Sequence, residues 1–233
     1  MTTSPSDKLI VALDVPSYDE ARALVETLGD TVSFYKIGLE LLFSEGLALA
    51  SELKNEGKRI FLDMKFLDIG NTVEKAVAGV AHLGFDFLTI HGTDTKTMKA
   101  AVKGRGNSQL KLLAVTVLTS LDQNDLNEQG IAMSTRDLVL TRAKLAREAG
   151  IDGVIASGQE AASIRAACGL EFLIVTPGIR LPGADAGDQK RISTPEDAIR
   201  NGANHIVVGR PINAARSPVE AAQSFLEHMS RAI

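Results

Sequence analysis

Charged residues of alternating sign stand at the ends of three apolar runs. Asp14 closes KLIVALD, Lys36 lies within VSFYKIG, and Asp63 and Lys65 lie within RIFLDMK; Asp68 follows shortly after. An acid–base array of this kind suits proton transfer and charge stabilisation. A lysine between carboxylates keeps its proton, because nearby anions favour the charged form, and it then serves as a general acid toward carbon. The competing reading is a structural ion-pair cluster, in which buried charges satisfy one another because an unpaired one is costly.

A second set lies near the C-terminus. VTPGIR (175–180) supplies Pro177, Gly178 and Arg180, and VVGR (207–210) supplies Gly209 and Arg210. Glycine lets backbone N–H groups approach an anion, and arginine offers a bidentate fork to phosphate oxygens. Gln189, between the two segments, adds an amide. The arginines read as a phosphate grip, against the plainer reading of solvated surface charges.

The elements that must position these residues alternate regularly. Short runs rich in branched residues lie at 8–14, 32–38, 59–65, 85–91, 110–118, 152–157, 172–178 and 205–210. Amphipathic stretches separate them, at about 18–28, 39–56, 71–83, 95–103, 135–149, 159–168, 195–202 and 218–231. Strands alternating with helices pair in parallel through crossovers, and strands buried on both faces read as continuous apolar runs. The expected fold class is α/β, a single (β/α)8 TIM barrel over residues 1–233. An open doubly wound sheet is the runner-up, weakened because no GxGxxG turn follows the first strand. Barrels of this class work at the C-terminal ends of their strands and often bind phosphate after the seventh and eighth. The period of two puts Ile10, Ala12 and Asp14 on one face, Val32, Phe34 and Lys36 on another, and Phe61, Asp63 and Lys65 on a third. If those faces point inward, the charges meet at the barrel mouth.

Composition narrows the class. With 25 Lys plus Arg against 29 Asp plus Glu, the net charge is −4, which argues against general nucleic-acid binding. No apolar run approaches the ~20 residues of a membrane span, and MTTSPSDK lacks a secretory h-region. A cytoplasmic protein is expected. Cys168 is a lone cysteine, expected as a small buried side chain, and it excludes an intrachain disulfide. His82, His205 and His228 show no metal-ligand spacing, and His91 is expected to be packed and hydrogen-bonded. The stretch 124–130 reads as acidic loop. The loop 181–190, rich in Gly, Asp and Ala, is a lid candidate, against a merely flexible surface loop.

At the third strand, LDMKFLDIGNTV (62–73) resembles the signature of the orotidine 5′-phosphate decarboxylase family, D-x-K-x-x-D-[IV] followed by a Thr-containing turn. LDVP (13–16), YKIG (35–38), AVTVLTS (114–120), VTPGIR (175–180), DQKR (188–191) and VVGRPI (207–212) extend the likeness in the family's order. The resemblance implies conversion of orotidine 5′-monophosphate to UMP and CO2 by a carboxy-lyase of pyrimidine biosynthesis, without metal or organic cofactor. It implies ribose and network contacts by Asp14 and Lys36, and a central pair, Asp63 and Lys65, beside the departing carboxylate. Asp68 and Thr72 resemble residues that reach a neighbouring subunit's site, so a homodimer with shared sites is implied. Thr119 or Ser120 resembles the pyrimidine contact, with Thr119 preferred. Arg180, Gln189, Gly209 and Arg210 resemble the phosphate grip, shaped by Pro177. The alternatives are a magnesium-dependent sugar-phosphate decarboxylase or aldolase of the same superfamily, disfavoured by Lys36 where that branch has an acidic residue, and a non-catalytic phosphate-binding barrel.

Overall fold

Branched and aromatic runs form eight strands: β1 Leu9–Ala12, β2 Phe34–Gly38, β3 Arg59–Phe66, β4 Phe87–His91, β5 Lys111–Val115, β6 Gly153–Ile155, β7 Leu173–Thr176 and β8 His205–Val208. All pair in parallel in chain order, and β8 closes on β1 through Leu9 opposite Ile206. The structure, a computed structural model, describes residues 4–185, 187 and 189–232. Asp188 of the DQKR segment and Ala186 of the lid candidate lie outside the described residues, as do the first three residues and the last.

The barrel has an inner core and an outer one. Ile10, Ala12, Phe34, Phe61, Phe87, Leu113, Val175 and Val207 fill the interior. Phe34 and Phe87 meet edge to face at 5.1 Å, and the Arg59 guanidinium lies 4.1 Å from the Phe34 ring centre. His205 packs against both phenyl rings at the N-terminal end of β8. The larger core lies between strands and helices and includes Leu9, Val11, Leu13, Tyr35 and Ile37. Inward facing thus holds for Ile10 and Ala12, for Phe34 and for Phe61. Val32 departs from the expectation: it precedes β2, escapes its alternation and packs in the outer core.

The helices follow their apolar periodicity with local exceptions. Tyr18–Leu28 buries Ala21, Leu24, Val25 and Leu28, and the Ser17 hydroxyl caps it by accepting from Glu20 N. The stretch 39–56 is not one helix. It breaks at Leu42–Gly46, where Glu45 has φ 62°, and a Cβ on Gly46 would lie 2.6 Å from Leu41 O. The expected acidic loop holds a short helix, Gln123–Glu128, because Asp122 caps it by accepting from Asn124 N and Asp125 N. Short helices at Pro5–Lys8 and Arg210–Asn213 add to the alternation. Strands end earlier than their apolar runs: β1 stops before Asp14, and β5 stops before Thr119, so both residues stand on loops at the mouth.

Candidate active site

Parallel pairing brings the charged residues together from three neighbouring strands. Ala12 lies opposite Lys36, and Gly38 opposite Asp63. The Lys36 ammonium donates to Asp14 Oδ1 at 2.8 Å and lies 3.5 Å from Asp63 Oδ2. Lys65 Nζ lies 2.9 Å from the same Oδ2. The result is an unbroken series Asp14–Lys36–Asp63–Lys65 across the barrel mouth. Lys36 is buried and the Asp63 side chain is 13% exposed, but the Asp14 side chain is 43% exposed and that of Lys65 28%. The series is therefore no sealed plug, since both ends open on a cavity.

Electrostatics hold the two inner charges in their ionised forms. Burial alone would push the Lys36 ammonium down, but Asp63 and Asp14 outweigh it, and its pKa lies above the ordinary lysine value. Burial alone would push the Asp63 carboxyl up; Lys36 and Lys65 outweigh this, helped by hydrogen bonds from Lys65 and Thr89, and hold it below the ordinary range. Gly38 makes room for the series, because a Cβ there would sit 2.8 Å from Lys36 Nζ.

Lys65 does not owe its place to simple alternation. The β3–β4 register shifts between Leu62 opposite Leu88 and Phe66 opposite Ile90, so residues 63–65 bulge against Thr89. Lys65 has φ 51°, a left-handed conformation that non-glycine residues seldom adopt.

The cavity has a volume of about 640 Å³. Asp14, Lys36, Asp63, Lys65, Thr119, Ser120, Pro177, Arg180, Gln189, Gly209 and Arg210 all line it. Apolar walls come from Phe61, Val115, Val117, Ile155 and Val207. The two guanidinium groups stand together: a Cβ on Gly187 would lie 3.6 Å from Arg210 Nη1 and 3.8 Å from Arg180 Nη2. Arg180 donates to the carbonyls of Ile179 and Asp185. Burial, with Arg210 nearby, lowers its pKa, although Asp185 acts the other way.

Across the cavity, the lid candidate's C-terminal foot is tied to the loop after β5. The Thr119 hydroxyl donates to Gln189 Oε1 and Lys190 N to Thr119 O, while Lys190 Nζ reaches Asp122 at 2.7 Å. Buried Arg191 adds bonds to the carbonyls of Val117 and Leu118 and an ion pair with buried Glu160.

Asp68 and Thr72 stand apart from this chain's cavity. Both are exposed beyond the end of β3, where the Asp68 carboxylate accepts from Ile69 N. Leu67 and Ile69 beside them are 54% and 73% exposed. His91 is half-buried; among the described residues its ring makes no hydrogen bond, which corrects the expectation. Burial, with Lys65 and Arg142 nearby, lowers its pKa. Cys168 is a buried side chain at the end of Ala161–Cys168, as expected. Among the described residues no cluster of His, Cys, Asp and Glu could hold a metal ion, and no helix is long and apolar enough to cross a membrane.

Sequence reasoning missed Thr89, Gly38 and the Arg191–Glu160 pair. Thr89 was detectable in principle, since it shares the inward face of β4 with Phe87 and is polar there. Gly38 lies inside the YKIG segment. The buried pair joins residues 31 positions apart on two loops, a contact that no local pattern announces.

By fold and pocket, the chain is a closed (β/α)8 barrel with a charged cavity at its C-terminal mouth, the architecture on which barrel enzymes are built. The chain belongs to the Orotidine 5'-phosphate decarboxylase / HUMPS family, whose model matches residues 7–225. It is 59% identical over 229 residues to an orotidine 5'-phosphate decarboxylase of Ruegeria pomeroyi, covering 96% of this chain and 94% of that one. It is 55% identical over 227 residues to the enzyme of the same name from a Caulobacter species, covering 97% and 99%. The crystal structure of orotidine 5'-phosphate decarboxylase from Lactobacillus acidophilus superposes with a TM-score of 0.83 at 37% identity, covering 95% of this chain and 98% of that one.

Proposed function

We propose that this chain is a carboxy-lyase that converts orotidine 5′-monophosphate to UMP and CO2. The observation that carries the reading is the Lys36–Asp63–Lys65 series in one cavity with the paired guanidinium groups of Arg180 and Arg210. The names of its relatives, 55–59% identical over nearly the whole chain, support it.

The chemistry follows from these groups. Breaking the C6–carboxylate bond releases CO2 and leaves the electron pair on C6, where no adjacent group can delocalise it. The Lys65 ammonium stabilises that pair by charge and then donates its proton to C6. Two opposite charges ~4 Å apart interact by ~4 kcal/mol at an effective dielectric of ~20. Asp63 holds Lys65 in place and faces the substrate carboxylate, so repulsion is relieved as CO2 departs. Partial exposure of Lys65 lets it regain a proton from solvent.

The remaining roles complete the reading. Asp14 and Lys36 hold the ribose hydroxyls and the network; Thr119, or Ser120 beside it, meets the pyrimidine edge. Arg180, Gln189, Gly209 and Arg210 grip the phosphate, with Pro177 shaping the pocket, and this remote binding energy drives closure of loop 181–190. Asp68 and Thr72 serve the site of a second copy in a cytoplasmic homodimer, each chain forming one catalytic domain over residues 1–233. No metal or organic cofactor takes part. The magnesium-dependent branch is disfavoured because the Lys36 ammonium fills the space between Asp14 and Asp63 where a cation would sit.

Incubation with orotidine 5′-monophosphate, followed by loss of its absorbance, tests the reading. Turnover that persists in EDTA is expected. The Lys65→Ala chain should bind UMP but release no CO2. Absence of turnover by the unaltered chain would refute the proposed activity.

A further inference from the structure

Lys65 sits in a bulge of β3. Between Leu62 and Phe66, residues 63–65 of β3 face Thr89 alone on β4. A bulge leaves ladder groups without backbone partners. The Lys65 N–H is such a group, and its bond goes to the Thr89 hydroxyl oxygen at 3.0 Å. The same hydroxyl donates its own proton to Asp63 Oδ1 at 2.8 Å. Thr89 is fully buried. One side chain therefore fixes two things. It holds the left-handed backbone of Lys65, at φ 51°, and it sets the rotation of the Asp63 carboxylate. With Oδ1 occupied by Thr89, Oδ2 is left facing both Lys65 at 2.9 Å and Lys36 at 3.5 Å.

We propose that Thr89 is a positioning residue for the decarboxylation, acting through Lys65 and Asp63 by way of its hydroxyl. This rests on the function proposed above. Thr89 lines none of the cavity, so it contributes to the placement of the proton donor and not to ligand contact. A β-branched residue also suits the strand, and that separates the two roles: valine keeps the shape and the strand preference while losing the hydroxyl. Serine keeps the hydroxyl and loses a methyl.

The experiment compares Thr89→Val and Thr89→Ser with the unaltered chain. Misplacement of a catalytic group by a fraction of an ångström to an ångström is expected to lower kcat in Thr89→Val by about 10-fold to about 100-fold. KM and UMP affinity should stay within about threefold, since phosphate and ribose contacts are untouched, and Thr89→Ser should restore most of kcat. The Lys65 backbone amide should exchange with solvent faster in Thr89→Val than in the unaltered chain or Thr89→Ser. A merely structural role would lower stability in both variants without this split between kcat and KM. Thr89→Val with kcat within about twofold of the unaltered chain, or Thr89→Ser as impaired as Thr89→Val, would overturn the proposal. Should the valine chain not fold, Thr89→Ala reads the same loss of hydroxyl. If the unaltered chain does not turn over orotidine 5′-monophosphate, the activity reading fails by itself; Lys65 amide exchange then judges Thr89, and equal exchange in both chains refutes it.

Discussion

Replacing Lys36 by methionine keeps the length of the side chain and removes the charge that joins Asp14 to Asp63. At 3.5 Å and an effective dielectric of about 20, Lys36 and Asp63 attract by roughly 5 kcal/mol. Asp14 adds less, because its side chain is 43% exposed and water screens it. Against this stands the cost of desolvating Lys36, which methionine does not bear. Removing one partner of a buried pair costs about 3–5 kcal/mol when the other charge is left unpaired. Here Lys65 still faces Asp63 at 2.9 Å, so the loss falls toward the lower end of that range. The sign with pH also follows. Asp63 is held below its ordinary value of 3.8, so its stabilising contribution is present above that pH and is lost as the pH falls through the lower folded value. Without Lys36 the folded value rises, and the acid edge of stability and the acidic limb of kcat/KM move to higher pH. Urea unfolding at neutral pH and a pH series of both quantities read the outcome. A Lys36→Met chain within about 1 kcal/mol of the original, with an unmoved acidic limb, would refute the view that this ammonium organises the site.

Other perturbations test other parts. Arg210→Ala should raise KM and, if phosphate binding drives the chemistry, lower kcat as well; an unchanged kcat/KM in steady-state assays would remove Arg210 from the site. Mixing inactive Asp68→Ala and Lys65→Ala chains should restore some turnover if sites are shared; no rescue in mixed dimers shown to have formed counts against a composite site. Burial, with Arg59 and Lys8 nearby, pushes His205 down to about 3 from an ordinary 6.5. Between those values the unfolded chain binds the extra proton, so stability falls as the pH drops, by at most roughly 1.4 kcal/mol per pH unit, and is unaffected above 6.5. His205→Phe, which keeps a ring against Phe34 and Phe87, should flatten that slope in acid unfolding titrations.

Much of this was written along the chain. The alternation of branched runs with amphipathic stretches implied a parallel barrel, because a strand followed by a crossover helix leaves few other closures. The charged residues were legible as a set because each follows an apolar run, and the arginines because glycines flank them at the ends of the seventh and eighth runs. Tyr18–Leu28 matches the expected stretch, since its apolar period is local.

Other features belong to the folded chain alone. The meeting of Asp14, Lys36 and Asp63 depends on the register between β1, β2 and β3, which barrel closure sets. Alternation put Asp63 and Lys65 on one face by counting, yet the bulge opposite Thr89 is what brings Lys65 to Asp63. Val32 failed the count because the strand had not yet begun. The bond from Thr119 to Gln189 spans 70 positions, and local preferences carry no information over that distance. Asp68 and Thr72 lie outside this chain's cavity because they come after the end of β3 at Phe66 and are exposed there. Residue type and short period are properties of neighbouring amino acids, readable in order. Register, bulges and loop-to-loop contacts arise only when distant segments pack, and those set where each charge stands.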